Sequence, residues 1–195
     1  RNKKRVNKIY FGSANELIWM LEHPPIFTAG TSTKLDSLVK NYKFPVVKTG
    51  RGGQFTYHGP GQLVGYPILD VRKLGGPLRL VCALQNTMLS SLSEFGIQAI
   101  CDNKPTGVWV EDAKIGAIGL RVSKGLSTHG FALNVSPDLS FFDNIVPCGM
   151  PGIEVTSMEK LSVSVDLFDF AKTVSKYLVI NLDKSLCWAD KTEVL

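Results

Sequence analysis

The sequence predicts an α+β domain built on mixed, mainly antiparallel sheets with flanking helices. Two stretches, 77–96 and 166–180, repeat apolar residues every three or four positions, the period of a helix face. Between them the segments IQAIC, TGVWVE, KIGAIGLRV and STHGFALNV are separated by turn residues in the manner of an antiparallel meander. No internal repeat, low-complexity tract or linker divides the chain, so residues 1–195 are expected to form one domain.

In chain order, RNKKRVNK carries five basic residues (Arg1, Lys3, Lys4, Arg5 and Lys8) and reads as a solvated flank. The sequence opens without Met, so a trimmed or partial chain is expected. ELIWMLEHPPIFTAG begins as a buried strand that Pro24 and Pro25 stop, leading into a loop. Val46 to Thr49 and Gln62 to Leu69 are strand-like, with a glycine-rich loop between them. In the first helical stretch Val81, Leu84, Met88, Leu92 and Phe95 form one stripe, and Gly96 is the C-terminal stop. EDAK is a tight connection that makes Lys114 the first residue of a returning strand. In the second helical stretch Leu167, Phe168, Ala171, Val174 and Leu178 form the stripe, with Asp166 as N-cap.

With 44% hydrophobic and 20% charged residues, the chain has the material for a core, which excludes a disordered chain. The excess of 22 basic over 17 acidic residues, a net charge of +5, suits an acidic partner: nucleic acid, an anionic membrane or an acidic protein. Four widely spaced cysteines without a Cys-x-x-Cys pair argue against a zinc knuckle or a disulfide framework and fit a reducing cytoplasm. No apolar run has the length of a membrane span and no secretion signal opens the chain, so a soluble cytoplasmic protein is expected.

Three places in the sequence can carry chemistry. In GRGGQFTYHGPGQ, glycines at 50, 52, 53, 59 and 61 surround Arg51, Tyr57 and His58, so backbone and polar groups can close on a ligand. No Lys-Ser/Thr pair follows, which excludes a phosphate loop. KIGAIG sets Gly116 and Gly119 inside a strand, where glycine marks a close approach by ligand or backbone. Lys114 itself, on residue grounds, reads as a soluble edge residue. His129 and Gly130 in STHGFALNV add an additional candidate contact.

Cys148, between Pro147 and Gly149, sits in a segment too punctuated for a helix or strand interior, a place to present a nucleophile. Lowering a thiol pKa from about 8.5 to about 6.5 turns a thiolate fraction of a few per cent at neutral pH into most of the population. Lys114, His58 and His129 are all candidate helpers, and the residues alone leave the choice open. Cys82, Cys101 and Cys187 read as core or incidental thiols.

The blocks RGGQFTYHGPGQLVGY, TGVWVEDAKIGAIGLRVSKGLSTHGFALNV and FFDNIVPCGMPGIEVTSM, in that order, closely resemble the lipoyl (octanoyl) transferases of lipoate biosynthesis. The resemblance runs from about Glu16 to Met158 and implies the fold shared with lipoate and biotin protein ligases. It implies a ping-pong transfer of an octanoyl group from acyl carrier protein to a lysine on lipoyl domains of 2-oxoacid dehydrogenases or the glycine cleavage H protein. The acyl-thioester cysteine falls on Cys148 and its paired lysine on Lys114. The acyl-binding segments fall on Arg51, Gly52, Gly53 and Gln54, on Phe55, Thr56, Tyr57 and His58, on Ala117, Ile118 and Gly119, and on Gly130, Phe131 and Ala132. Members carry a strand and helix before the position of Tyr10, so the resemblance implies a missing N-terminal stretch. It implies no metal, no nucleotide and no tightly bound cofactor, only the octanoyl-phosphopantetheine donor. The rival readings are an ATP-dependent lipoate or biotin-type ligase, which needs no cysteine, and a basic RNA-binding module.

Overall fold

A computed structural model of the chain describes residues 2–33, 44–146 and 152–189. The larger sheet runs β1 (Leu17–Leu21), β5 (Gln62–Ile68), β8 (Leu126–Asn134), β7 (Ala113–Ser123), β6 (Val108–Val110), with neighbours antiparallel. β9 (Glu154–Val155) adds to β7 in parallel. The smaller sheet has β2 (Ile26–Ala29) at its centre, parallel to β3 (Val46–Lys48) and antiparallel to β4 (Phe55–His58). The α+β class and the meander β6–β7–β8 are as the sequence predicts.

Helices α2 (Pro77–Glu94) and α3 (Leu167–Leu182) cover one face of the larger sheet. Leu84, Met88 and Leu92 join Ile115, Leu133, Phe170, Val174 and Leu178 in one buried cluster. Each fully buried side chain of this kind contributes about 1.5–3 kcal/mol. α2 begins with Pro77 at its first turn, where the missing N–H costs nothing. It ends with Gly96 at φ +78°, whose N–H bonds to Ser93 O at 3.0 Å while the Ile97 N–H bonds to Leu92 O at 3.1 Å, a glycine-capped C-terminus. Asp166 caps α3 as expected, accepting from the N–H groups of Phe168 (2.8 Å) and Asp169 (3.2 Å).

Several local expectations change. The basic flank is helical, α1 (Asn2–Tyr10), with Val6 packed against Ile68 and Leu126. Pro24 and Pro25 do not lead into a long loop: Ile26–Ala29 is a strand, and so is Phe55–His58 of the glycine-rich loop, because pairing between the two outweighs local turn chemistry. β1 is half-buried throughout. IQAIC forms only a bridge, Ile100 to Trp109. Phe168 is 62% exposed and Phe170 takes its place in the core. Cys82 and Cys187 are exposed, and Cys101 is half-buried, so Cys82 and Cys187 are not core thiols.

Candidate active site

A cavity of about 740 Å³ lies between the two sheets and reaches Val81 of α2 at one margin. Strand alternation builds its floor. On β8, Phe131 and Leu133 turn toward the helices, leaving Gly130 and Ala132 on the cavity side, opposite Gly119 and Ala117 of β7 in register. The roof comes from β2, β4 and the loop 51–54. The Gly52 N–H donates to Leu120 O at 3.0 Å and closes that loop onto the edge of β7.

Lys114 reaches this cavity through a break in alternation. Val108 pairs with Gly116 and Trp109 with Lys114, so β7 spends one extra residue there, a β-bulge. Ile115 is buried in the helix-side cluster, and a side chain at Gly116 would meet Met88 of α2. Both residues of the bulge therefore face the helices, and Lys114 is turned to the cavity. Its Nζ donates to Thr106 O at 2.9 Å and stands 5.1 Å from the centre of the Trp109 ring. Gly107 makes room, since a Cβ there would lie 2.5 Å from Lys114 Cε. Lys114 is only 6% exposed, which overturns its reading as a soluble edge residue. Regular alternation hides the bulge, and Gly116 is the only signal of it in the sequence.

Arg51 is a second buried basic residue. Its Nη2 donates to Thr28 O (2.7 Å) and Thr28 Oγ1 (2.8 Å), Nε to Thr28 Oγ1 (3.2 Å) and Nη1 to Gly52 O (3.0 Å). No Asp or Glu lines the cavity among the described residues. Arg51, with no lining carboxylate to offset it, favours whatever anion forms inside, a thiolate or an oxyanion.

All three histidines of the chain line this cavity. His58 Nδ1 lies 2.6 Å from Gln62 Oε1, Gln62 Nε2 lies 2.8 Å from Asn134 Oδ1, and Asn134 Nδ2 lies 3.0 Å from Thr156 O. Thr156 O can only accept, which orients each amide in turn and makes His58 Nδ1 the donor. His58 is thereby held as the Nδ1–H tautomer with Nε2 left as an acceptor. Burial pushes its pKa from 6.5 down to about 4, against the pull of the Gln62 bond, and His23, Arg51 and His129 lower it further. His23 shares a 2.7 Å hydrogen bond with the Tyr66 hydroxyl, and burial lowers its pKa. Burial, then Arg51 and Arg121, lower that of His129. The cavity is lined with neutral imidazoles at neutral pH.

The cavity is bordered by Arg51, Gly52, Gly53, Gln54, Phe55, Thr56 and His58 with Lys114, Ala117, Gly119, His129, Gly130 and Ala132, and by Ile118 and Phe131, whose side chains pack into the helix-side cluster. Tyr57 is the exception. Its ring is 1% exposed and packs against Phe27, Phe141 and Phe142 on the other face of β4, where alternation puts it, so it supports the roof rather than the ligand. Cys148 lies outside the described residues. Thr28, Gln62, Asn134, His23 and Tyr66 were missed by sequence reasoning, because their roles depend on partners 23 to 72 residues away.

The model of the lipoyl protein ligase A/B catalytic domain matches residues 3–179. An octanoyltransferase of Rhizorhabdus wittichii is 48% identical over 168 residues, covering 84% of this chain and 75% of its own. One of Maricaulis maris is 47% identical over 174 residues, covering 85% and 77%. Among solved structures, a bipartite lipoate protein ligase of Thermoplasma acidophilum superposes with a TM-score of 0.73 at 16% identity over 99% of this chain and 83% of that one. A biotin protein ligase of Aquifex aeolicus gives 0.56 at 18% identity over 80% and 70%. These superpositions show the shared fold, and the sequence relatives show the membership: the chain belongs to the lipoyl protein ligase A/B catalytic-domain family, within its octanoyltransferase group.

Proposed function

We propose that this protein is an acyltransferase that moves an octanoyl group from octanoyl-acyl carrier protein to a lysine of a lipoyl domain, through a thioester on Cys148. The observation that carries the proposal is the buried Lys114 at one end of a cavity floored by Ala117, Gly119, Gly130 and Ala132. The register of β9 supports the pairing with Cys148, since Val155, seven residues beyond it, lies directly beside Lys114. The octanoyltransferase relatives support the substrate class.

In the first half-reaction the free amine of Lys114 takes the Cys148 thiol proton. The thiolate attacks the donor thioester, and the carrier thiolate leaves, taking back the proton held on Lys114. In the second, the neutral amine of the acceptor lysine attacks the acyl-enzyme. An amide forms, Cys148 leaves as the thiolate, and the proton lost by the amine passes through Lys114 to that thiolate. The trough of small residues houses the acyl chain, whose six methylenes contribute roughly 5 kcal/mol at about 0.8 kcal/mol each before binding costs. No tightly bound cofactor, metal or nucleotide takes part in this scheme. The acceptors are the lipoyl domains of 2-oxoacid dehydrogenases and the glycine cleavage H protein, and the basic surface favours transient, salt-sensitive docking of acidic partners. Among the described residues no helix is long and apolar enough to cross a membrane.

The test is incubation with octanoyl-acyl carrier protein followed by mass spectrometry. A hydroxylamine-labile octanoyl adduct on Cys148 is expected, lost in Cys148→Ala and at least a hundredfold slower to form in Lys114→Ala. Octanoyl-adenylate made from free octanoate and ATP, with no such adduct, would assign the protein to the ligases instead.

A further inference from the structure

A second break in strand alternation closes the other end of the trough. His129 pairs with Leu120 in the β7–β8 ladder. Leu120 packs with Phe131 and Leu133 on the helix side, and regular alternation would send His129 there too. Instead His129 has φ +59°, a left-handed conformation that costs a non-glycine residue energy and clusters at functional positions. The turn puts its ring in the cavity, edge-on to Tyr66 with ring centres 6.4 Å apart. Tyr66 is itself pinned by the 2.7 Å bond to His23.

His129 and Thr49 also border a second space. This groove of about 870 Å³ is lined by Val6, Lys48, Gly50, Arg121 and Lys124 among others. His129 therefore stands in the partition between the two. Between Lys114 and His129 the floor consists of two cross-strand pairs of small residues, Ala117 with Ala132 and Gly119 with Gly130. A longer side chain does not fit there: a Cβ on Gly130 would lie 2.0 Å from Gly65 O.

Resting on the acyl-transfer reading above, we infer that His129 is the end wall of the acyl slot and sets the longest chain the enzyme accepts. Lys114 and Leu120 are six residues apart with one spent in the bulge, so the trough is about 16 Å long at roughly 3.3 Å per residue. The Lys114 and His129 side chains reach in from its two ends. An extended octanoyl chain, a zigzag of seven C–C bonds of about 1.5 Å, spans about 9 Å, shorter than the trough by roughly the room two end side chains need. Two further methylenes meet the imidazole. A neutral ring suits this place, since a charged one would oppose an apolar tail.

The experiment compares octanoyl-, decanoyl- and dodecanoyl-acyl carrier protein as donors, reading the rate of adduct formation on Cys148 for each. His129→Gly keeps the left-handed backbone without strain and removes the wall. Each methylene newly housed is worth about fourfold, so with two of them the decanoyl-to-octanoyl ratio is expected to rise about fifteenfold over wild type. His129→Asn also tolerates the left-handed conformation, shortens the side chain and should raise the ratio less, in the same direction. It carries the test should the glycine variant fold poorly. A merely structural role for His129 would slow all donors together. Ratios equal to wild type in the folded variants would overturn the inference and leave the transferase reading intact. Absence of any octanoyl adduct in the wild type would remove both.

Discussion

Replacing Gln62 with leucine, nearly the same shape without the amide, tests whether the buried chain from His58 to Thr156 holds the site together. Gln62 is 2% exposed and Asn134 5%, so neither lost bond is replaced by water. His58 Nδ1–H loses its acceptor at 2.6 Å and Asn134 Oδ1 its donor at 2.8 Å. Each orphaned buried polar group costs about 1–3 kcal/mol, so Gln62→Leu should cost about 2–6 kcal/mol. That is a large part of a typical stability of about 5–15 kcal/mol. The two singles together orphan four groups, but the double variant Gln62→Leu/Asn134→Leu orphans only His58 Nδ1–H and Thr156 O, so its cost should fall short of the sum of the singles by about 2–6 kcal/mol. The assay is equilibrium urea unfolding of the wild type, both singles and the double. A cost for Gln62→Leu below about 0.5 kcal/mol, the level of an unremarkable surface change, would refute the reasoning. So would strict additivity.

Three further outcomes follow from the same geometry. His58 should titrate near pH 4 in the folded protein against 6.5 when free, as read by NMR of its ring; a midpoint near 6.5 would contradict the burial argument. The unfolded chain takes up this proton first, so the stability His58 contributes is full above about pH 6.5. It is lost as pH falls toward 4, by up to about 3 kcal/mol. Gly107→Ala would place a Cβ 2.5 Å from Lys114 Cε and 2.6 Å from Gly116 O at φ +146°, so it should displace Lys114 and slow Cys148 acylation at least tenfold, with about 1–3 kcal/mol of strain. Normal acylation kinetics in that variant would show that Lys114 needs no such room. Asp166→Ala removes the α3 cap and should cost about 1 kcal/mol in urea unfolding with transfer rates unchanged.

Much of the fold was legible because its signals are local. Leu84, Met88 and Leu92 repeat at the helical period whatever they pack against, and Asp166 caps the N–H groups two and three residues ahead of it. The strands that were missed, Ile26–Ala29 and Phe55–His58, look like turn sequence because their stability comes from pairing with each other across nearly thirty residues. The site divides the same way. The family blocks mark Arg51 to His58, Lys114 and Ala117 to Gly119 by residue type and order. Nothing in that order says that Tyr57 turns away, or that Gln62 and Asn134 fix the tautomer of His58.

By itself the amino-acid sequence determined the α+β class, the helices and their caps, the family, and Cys148 and Lys114 as the reacting pair to test. Only the tertiary structure decided which way Lys114 and His129 point. Both lie in strands whose alternation would send them toward the helices. A bulge at Ile115 and a left-handed backbone at His129 reverse that direction. Such breaks cost energy locally and persist only because packing from distant residues holds them, which is why no local pattern announces them.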